Sequence, residues 1–246
     1  MSLSVIIPVY NEERNAIKTI NNLIKLKRYI SKFEIIFIDD FSNDNTFREI
    51  KKISRKNYFI KVFKNKRKGL GSAIEVGIKK STHDFVSIFM SDSSDSLSDL
   101  ISYYKIISKN NCDSVLGSRF LKKSKVKNYP LIKLILNRIF NNFVKFVFFS
   151  NYNDFTNAFK IYKRSVLLNL LPIVSENFNV FLEIPLKVIS RQYTYKIIPI
   201  NWRNRIIGKS NFKVKELSSL YIFTLIYCLT EKILLSKKKN YHDNIK

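Results

Sequence analysis

The first half of the chain alternates short apolar runs with longer amphipathic stretches. Runs at Ser4–Pro8, Glu34–Ile38, Phe59–Phe63, Phe85–Phe89 and Ser114–Gly117 are β-branched or aromatic, and their shortness suits strands buried on both faces. Helical patterns lie between them. One begins near Glu12 and is carried by Ile17, Ile20, Leu23 and Ile24, and others begin near Asn45, Leu70 and Leu97. This β-α-β-α order predicts an α/β domain with a mostly parallel central sheet and helices on both faces. Ligands of such sheets collect at the carboxyl ends of the strands.

The texture changes from about Asn128. Tyr129–Ser150 reads as one long helix, apolar on a wide face and basic on the other. A short segment around Asp154–Tyr162 follows, then a helix near Phe178–Ser190, a strand near Tyr195–Ile200 and a helical C-terminus to about Leu235. No repeat or low-complexity linker divides the chain, so we read one domain over 1–215, with an amphipathic helical edge and basic tail appended over 216–246. Leu217–Thr230 comes nearest to a membrane span, but at about 14 residues it falls short of the roughly 20 needed. The opening MSLSVIIPVYNEE lacks the basic n-region of a secretory leader.

Charge adds a constraint. The 246 residues include 44 Lys and Arg against 19 Asp and Glu, a formal net charge of +25. Such an excess attracts nucleic acid, an anionic membrane or phosphorylated substrates, although a bias toward Lys, Asn and Ile runs through the whole chain. The charge, with 20 Phe and 13 Tyr, keeps a basic nucleic-acid-binding protein as an alternative. Dispersed lysines and acidic strand ends argue against a nucleic-acid partner. Cys112 and Cys228 have neither metal-ligand spacing nor enough partners for a disulfide framework, and read as packing residues.

The polar residues after the strands suggest chemistry. The first run ends in Pro8-Val9-Tyr10-Asn11-Glu12, a loop opening onto a helix, with Asn11 as a plain N-cap in the alternative. The second ends in Asp39-Asp40-Phe41-Ser42-Asn43-Asp44. Adjacent carboxylates repel unless one bonds a donor, and a nucleobase or ribose hydroxyls can be that donor; Ser42 or Asp44 can cap the next helix. After the third, Lys66-Arg67-Lys68-Gly69-Leu70-Gly71 sets cations and glycines at a helix start, as a pyrophosphate requires. After the fourth, Met90-Ser91-Asp92-Ser93-Ser94-Asp95-Ser96 offers oxygens to a divalent cation, or simply a turn that caps a helix.

In this order the four strand ends, PVYNE, DDFSNDNT, KGLGSA and SDSSD, resemble those of the family 2 glycosyltransferases. GSRF at Gly117–Phe120, DFTNAFKIYKR at Asp154–Arg164, FLEIPLK at Phe181–Lys187 and WRNRIIGKSNFK at Trp202–Lys213 are similar to the branch that glycosylates polyprenyl phosphates. The resemblance implies a GT-A type nucleotide-diphospho-sugar transferase fold, a Mg²⁺ or Mn²⁺ cofactor and an inverting displacement. It places Pro8, Tyr10, Glu12 and Asp40 around base and ribose, Gly71 near the donor and Asp92 on the metal. It puts Arg119, Arg205 and Ser210 on phosphates, with Lys133 and Arg138 as a further anion-binding pair. Three positions depart from the pattern: Met90 for the first aspartate of the metal motif, Phe41 for a glycine, and Asn211 for a lysine.

Two acceptors remain open. A lipid phosphate is already anionic and needs cations rather than a base. A sugar hydroxyl, as in surface polysaccharide or lipopolysaccharide synthesis, needs a carboxylate base, with Asp95, Asp154 and Glu183 as candidates; Asp39 and Asn157 complete the expected substrate-binding set. A non-catalytic nucleotide-sugar-binding protein is a further alternative. The amphipathic helices Tyr129–Ser150 and Leu217–Leu235 suit an interfacial position, so the expected location is peripheral, at the cytoplasmic face of the membrane.

Overall fold

The computed structural model describes residues 1–92, 94–109, 111–203 and 214–243, the last stretch with side chains over 219–235. Arg205 and Ser210, expected on phosphates, and the departing Asn211 lie outside the described residues.

Strands and helices alternate at the start: β1 (Leu3–Val9), α1 (Glu13–Leu23), β2 (Phe33–Asp39), α2 (Thr46–Ser54), β3 (Ile60–Lys64), α3 (Leu70–Lys80) and β4 (Phe85–Ile88). Then come α4 (Leu97–Lys109), β5 (Ser114–Ser118), β6 (Lys125–Lys127), α5 (Leu131–Val147), β7 (Lys160–Lys163) and α6 (Arg164–Asn169). The chain closes with α7 (Val180–Ser190), β8 (Tyr195–Pro199), β9 (Asn201–Arg203) and α8 (Val214–Asp243).

Seven strands form one sheet in the order β3-β2-β1-β4-β7-β5-β8, and β6 pairs with β9 in a separate ribbon. β1 runs parallel to β2 and β4, and β5 parallel to β8. β7 is antiparallel to both its neighbours, β4 and β5.

Alternation along the strands splits the core in two. Leu3, Val5, Ile7, Ile35 and Phe37 pack toward α1, α2 and α4. Ile6, Ile36 and Ile38 pack toward α3 and α7. Helix α7 is buried along almost its whole surface, as an all-round apolar sequence requires. Helix α8 lies against α7 and buries Leu225 and Cys228 in the same cluster.

Two elements escape the hydrophobic pattern. β7 is four residues long, begins and ends with lysine, and follows a polar segment, yet it sits mid-sheet. The β6–β9 ribbon is made of Lys-Val-Lys and Asn-Trp-Arg, too short and polar for any periodicity to register.

Candidate active site

The loops after β1, β2 and β3 are bonded to one another into a continuous wall. The Asn11 N–H donates to Ser42 Oγ at 3.0 Å, and the Asn43 N–H returns a bond to Asn11 Oδ1 at 2.8 Å. Asp44 accepts from the Thr46 N–H at 3.0 Å and the Glu13 N–H at 3.4 Å, so one carboxylate serves the starts of both α1 and α2. Burial raises its pKa, but the Thr46 and Glu13 bonds outweigh that and hold it below the ordinary aspartate value.

The adjacent aspartates divide their work. Asp40 accepts from the Gly69 N–H at 2.9 Å and Asn65 Nδ2 at 2.8 Å, which clamps the glycine loop while Asp40 stays half-buried. Asp39 ends β2, is buried, and has one carboxylate oxygen, Oδ1, without a hydrogen-bond partner. Buried Asn65 completes the clamp by bonding the Arg67 and Gly69 carbonyls, a role nothing in the local sequence advertises. Pro8 is buried in β1, whereas Tyr10 stands at the surface with Lys68 Nζ 5.5 Å from its ring centre. Glu12 accepts from Asn15 Nδ2 at 2.5 Å.

Gly69 takes φ +135°, which L residues rarely adopt. Gly71 is required for a different reason. A Cβ there would lie 1.7 Å from the Ser175 carbonyl oxygen, and its N–H donates to the Glu176 carbonyl at 3.0 Å. The resemblance set Gly71 at the donor; the structure has it seat α3 against the 175–176 turn. Glu183 holds that turn, accepting from the Val174 and Ser175 N–H groups at 3.0 and 2.7 Å while paired with buried Lys187 at 2.6 Å. Its carboxylate is thus buried and held by backbone donors and Lys187.

Asp92 follows β4, is half-buried, and accepts from the Ser94 N–H at 3.0 Å. Asp95 is buried and accepts from the Met90 N–H at 3.0 Å. Burial, with Asp92 nearby, pushes Asp95 up to about 8 against that bond. No group of three or more His, Cys, Asp or Glu side chains gathers into a metal cage among the described residues.

Arg119 follows β5 and is buried against Asp154, with Nε to Oδ2 at 2.9 Å and Nη2 to Oδ1 at 2.6 Å. The Arg119 N–H donates to the same Oδ2 at 2.8 Å. Burial opposes the guanidinium charge, and Asp154 more than restores it, raising the pKa. Both Asp154 oxygens are therefore spent on Arg119, which removes Asp154 from the candidate bases. The guanidinium lies 5.4–5.5 Å from the ring centres of Phe120, Tyr129 and Trp202, and Arg138 lies over the same Phe120 ring at 5.0 Å. Lys133 is exposed on α5. Asn157 is buried and donates to the Gly117 carbonyl at 3.0 Å, supporting the backbone just before Arg119. Asn137 and Asn141 of α5 bond Thr156 at 3.0 and 3.3 Å, and Thr156 in turn accepts from Arg119. Lys160, fully buried in β7, bonds the carbonyls of Phe155 at 3.1 Å and of Asn157.

A parallel sheet whose strand-end loops close into one wall, with an antiparallel strand set into its middle, is the arrangement of GT-A type nucleotide-diphospho-sugar transferases. The chain belongs to glycosyl transferase family 2, whose sequence model matches residues 4–171. It is 32% identical over 139 residues to dolichol-phosphate mannosyltransferase of Pyrococcus furiosus, covering 56% of this chain and 39% of that protein. It is 34% identical over 116 residues to poly-beta-1,6-N-acetyl-D-glucosamine synthase of Staphylococcus aureus, covering 47% of this chain and 27% of that one. The matches thus span well under half the length of either relative. Glucosyl-3-phosphoglycerate synthase of Mycobacterium tuberculosis, solved with Mn²⁺, UDP and glucosyl-3-phosphoglycerate, superposes with a TM-score of 0.71 at 18% identity, over 93% of this chain and 80% of that one. The same enzyme solved with Mg²⁺ and UDP gives 0.69 at 17% identity, over 93% and 79%. At that identity the likeness is one of fold.

Proposed function

We propose that this chain is an inverting glycosyltransferase that moves a hexose from a nucleotide-diphosphate sugar to a polyprenyl phosphate at the cytoplasmic face of a membrane. The Asp39 carboxylate carries the reading: it is buried in the wall of the cleft, with one oxygen unpartnered. An unsatisfied buried acceptor costs about 1–3 kcal/mol, and an N–H of a nucleobase is the donor that relieves it. Tyr10, exposed beside it, supplies a ring face, and Lys68 a cation for the diphosphate.

A divalent cation fits the residues present. Mg²⁺ is commonly held by one or two carboxylates plus substrate phosphates and water rather than by a protein cage, which is what a single half-buried Asp92 offers. When bound, it supplies Lewis-acid neutralisation of the leaving diphosphate. The chain's own residues orient the donor through Asp39 and Tyr10 and fix the glycine loop through Asp40.

The carboxylates point to the acceptor. Asp154 and Glu183 are consumed in buried ion pairs, and Asp95 is buried with its carboxylate accepting from the Met90 N–H, burial raising its pKa. A phosphate oxygen needs no base. The likeness to a dolichol-phosphate mannosyltransferase supports the same choice. A second reading, a glycan hydroxyl acceptor, is favoured by the likeness to the N-acetyl-D-glucosamine polymer synthase, and would need one of these carboxylates released.

The membrane setting rests on exposed apolar side chains. Helix α5 turns Ile132, Ile139, Phe143 and Phe146 outward, Phe149 follows at 88% exposure, and α8 adds Ile222, Phe223 and Ile226. Lys133, Arg138 and Lys145 are exposed on α5 beside them. Apolar residues interleaved with cations suit a headgroup boundary. No helix among the described residues is long and apolar enough to cross a membrane.

The test is release of nucleoside diphosphate from UDP-, GDP- and dTDP-sugars, with and without Mn²⁺ and a polyprenyl phosphate in vesicles. Lipid-dependent release that is lost in Asp92→Ala is the expected result. Absence of release with every donor would sink the reading.

A further inference from the structure

Beside the strand-end cleft lies a cavity of about 340 Å³, within the range of small-ligand sites. The loop Ser94-Asp95-Ser96, just after Asp92 and just before α4, forms one wall. The β6–β9 ribbon forms the other.

The ribbon is fastened across the gap at two points. Asp99 in the first turn of α4 accepts from the Asn201 N–H at 2.6 Å and from Asn201 Nδ2 at 2.9 Å, and the Arg203 N–H reaches the Ser94 carbonyl at 3.5 Å. The strand register pairs Lys125 with Asn201 and Lys127 with Arg203. Alternation then sends the side chains of Lys125, Lys127 and Arg203 to one face of the ribbon, and all three line the cavity. Trp202 also lines it, and its ring lies 5.5 Å from the Arg119 guanidinium. The cavity thus sits between the Asp92 loop and the buried Arg119–Asp154 pair, apart from the Asp39 wall.

We infer that this cavity, with Lys125, Lys127 and Arg203 as its cations and Ser94 and Ser96 as hydroxyl donors, binds a phosphate group of the acceptor. The inference rests on the proposed transfer reaction and gives its acceptor a place. Lys125, Lys127 and Arg203 are exposed along one face of the ribbon with Asp95 as the one carboxylate of the lining, so the cations of the cavity outnumber its acid and favour an anion. Polyvalent phosphate matches three cations and two hydroxyls better than a single carboxylate does. These residues are separate from Arg119, Lys133 and Arg138, so this is an additional anion site.

Trp202 is the sole tryptophan of the chain and belongs to the β6–β9 ribbon that carries the cations, so its fluorescence reports on that ribbon. The full chain is titrated at fixed ionic strength with inorganic phosphate, a short-chain prenyl phosphate and a nucleoside diphosphate. The same is done for Lys127→Gln/Arg203→Gln and for a charge-matched control, Lys51→Gln/Lys52→Gln on α2. Wild type and control should give a saturable change with a phosphate ligand, weakened at least about tenfold in the cavity variant, as loss of charge-assisted hydrogen bonds implies. Response to inorganic and prenyl phosphate alike identifies a soluble phosphorylated acceptor, and response to prenyl phosphate alone a lipid one; either supports the site. Equal response in wild type and cavity variant, or a response to nucleoside diphosphate only, overturns it. Lys125→Gln, at an exposed position, serves if the double variant does not fold. A donor-dependent turnover assay run beside the titration separates the two claims. Turnover without a fluorescence response removes this site and leaves the transferase, and the converse result does the opposite.

Discussion

At the scale of single residues, burial decides which charges are structural. Glu34 sits in β2 and accepts from Ser4 Oγ at 2.6 Å, the Thr82 N–H at 2.7 Å and Lys61 Nζ at 2.7 Å. Burial raises its pKa, but these bonds together hold it below the ordinary glutamate value of 4.5. A lowered carboxylate stabilises the fold fully above its unfolded pKa and loses that contribution as pH falls through its folded one. Glu34→Gln should therefore cost about 1–3 kcal/mol at neutral pH and flatten the decline in Tm between pH 5 and 3 (roughly the carboxylate window), measured by thermal melts. Lys160 is shifted in the same direction, but as a buried cation whose charged form is disfavoured. Burial pulls its amine from 10.5 down to about 7, against Asp154. Between those two values the unfolded chain binds the extra proton, so stability rises with pH across that window. Lys160→Met should abolish that rise relative to wild type, and an unchanged slope would refute the assignment. Phe41 holds φ +62° with its ring 48% exposed, a backbone region that disfavours a bulky L residue by about 1–2 kcal/mol. Phe41→Gly should leave stability unchanged or raise it by up to about 1 kcal/mol, once glycine's own entropy is set against the relieved strain. If the ring lines the base site, donor affinity falls at the same time, which a calorimetric titration reads.

Elements explain how the residues are delivered. Strand ends put Asp39, Asp92 and Arg119 at one edge of the sheet, and loop-to-loop bonds hold them there. Helix α3 approaches the 175–176 turn so closely that Gly71→Ala should cost about 3 kcal/mol or more through overpacking; a denaturant midpoint equal to wild type would contradict the packing. Helix α5 is tied to the site by polar bonds from Asn137 and Asn141 and to the core by Val144, while Ile132, Ile139, Phe143 and Phe146 face outward. Ile139→Lys/Phe146→Lys should therefore leave Tm within about 1 °C, since exposed substitutions stay near ±0.5 kcal/mol, yet abolish sedimentation with vesicles containing anionic lipid. Retained vesicle binding would move the membrane contact elsewhere.

For the whole molecule, the Arg119–Asp154 pair links the sheet, the 154–157 turn and α5. Removing one partner of a buried pair costs about 3–5 kcal/mol, so Asp154→Asn should destabilise the fold and weaken acceptor binding more than donor binding, measured as separate KM values.

The parallel half of the sheet was legible because β1 to β5 are short runs dominated by β-branched and aromatic residues, a signal carried by immediate neighbours. The strand-end places of Asp39, which closes β2, and Asp92, shortly after β4, followed from that. What failed to show were features made by distant residues meeting. β7 carries lysine into the sheet because carbonyls from Phe155 and Asn157 wait for its amine, and no local period records that. Glu183 and Asp154 look in sequence like free carboxylates, and only the fold supplies Lys187 and Arg119 to consume them. The β6–β9 cavity joins residues near 95, 125 and 203, separations over which sequence pattern carries no signal. Hydrophobic periodicity is a property of neighbours and fixes elements. Charge pairing across the chain is a property of space, and it was the tertiary structure that decided which carboxylates and cations remain for a substrate.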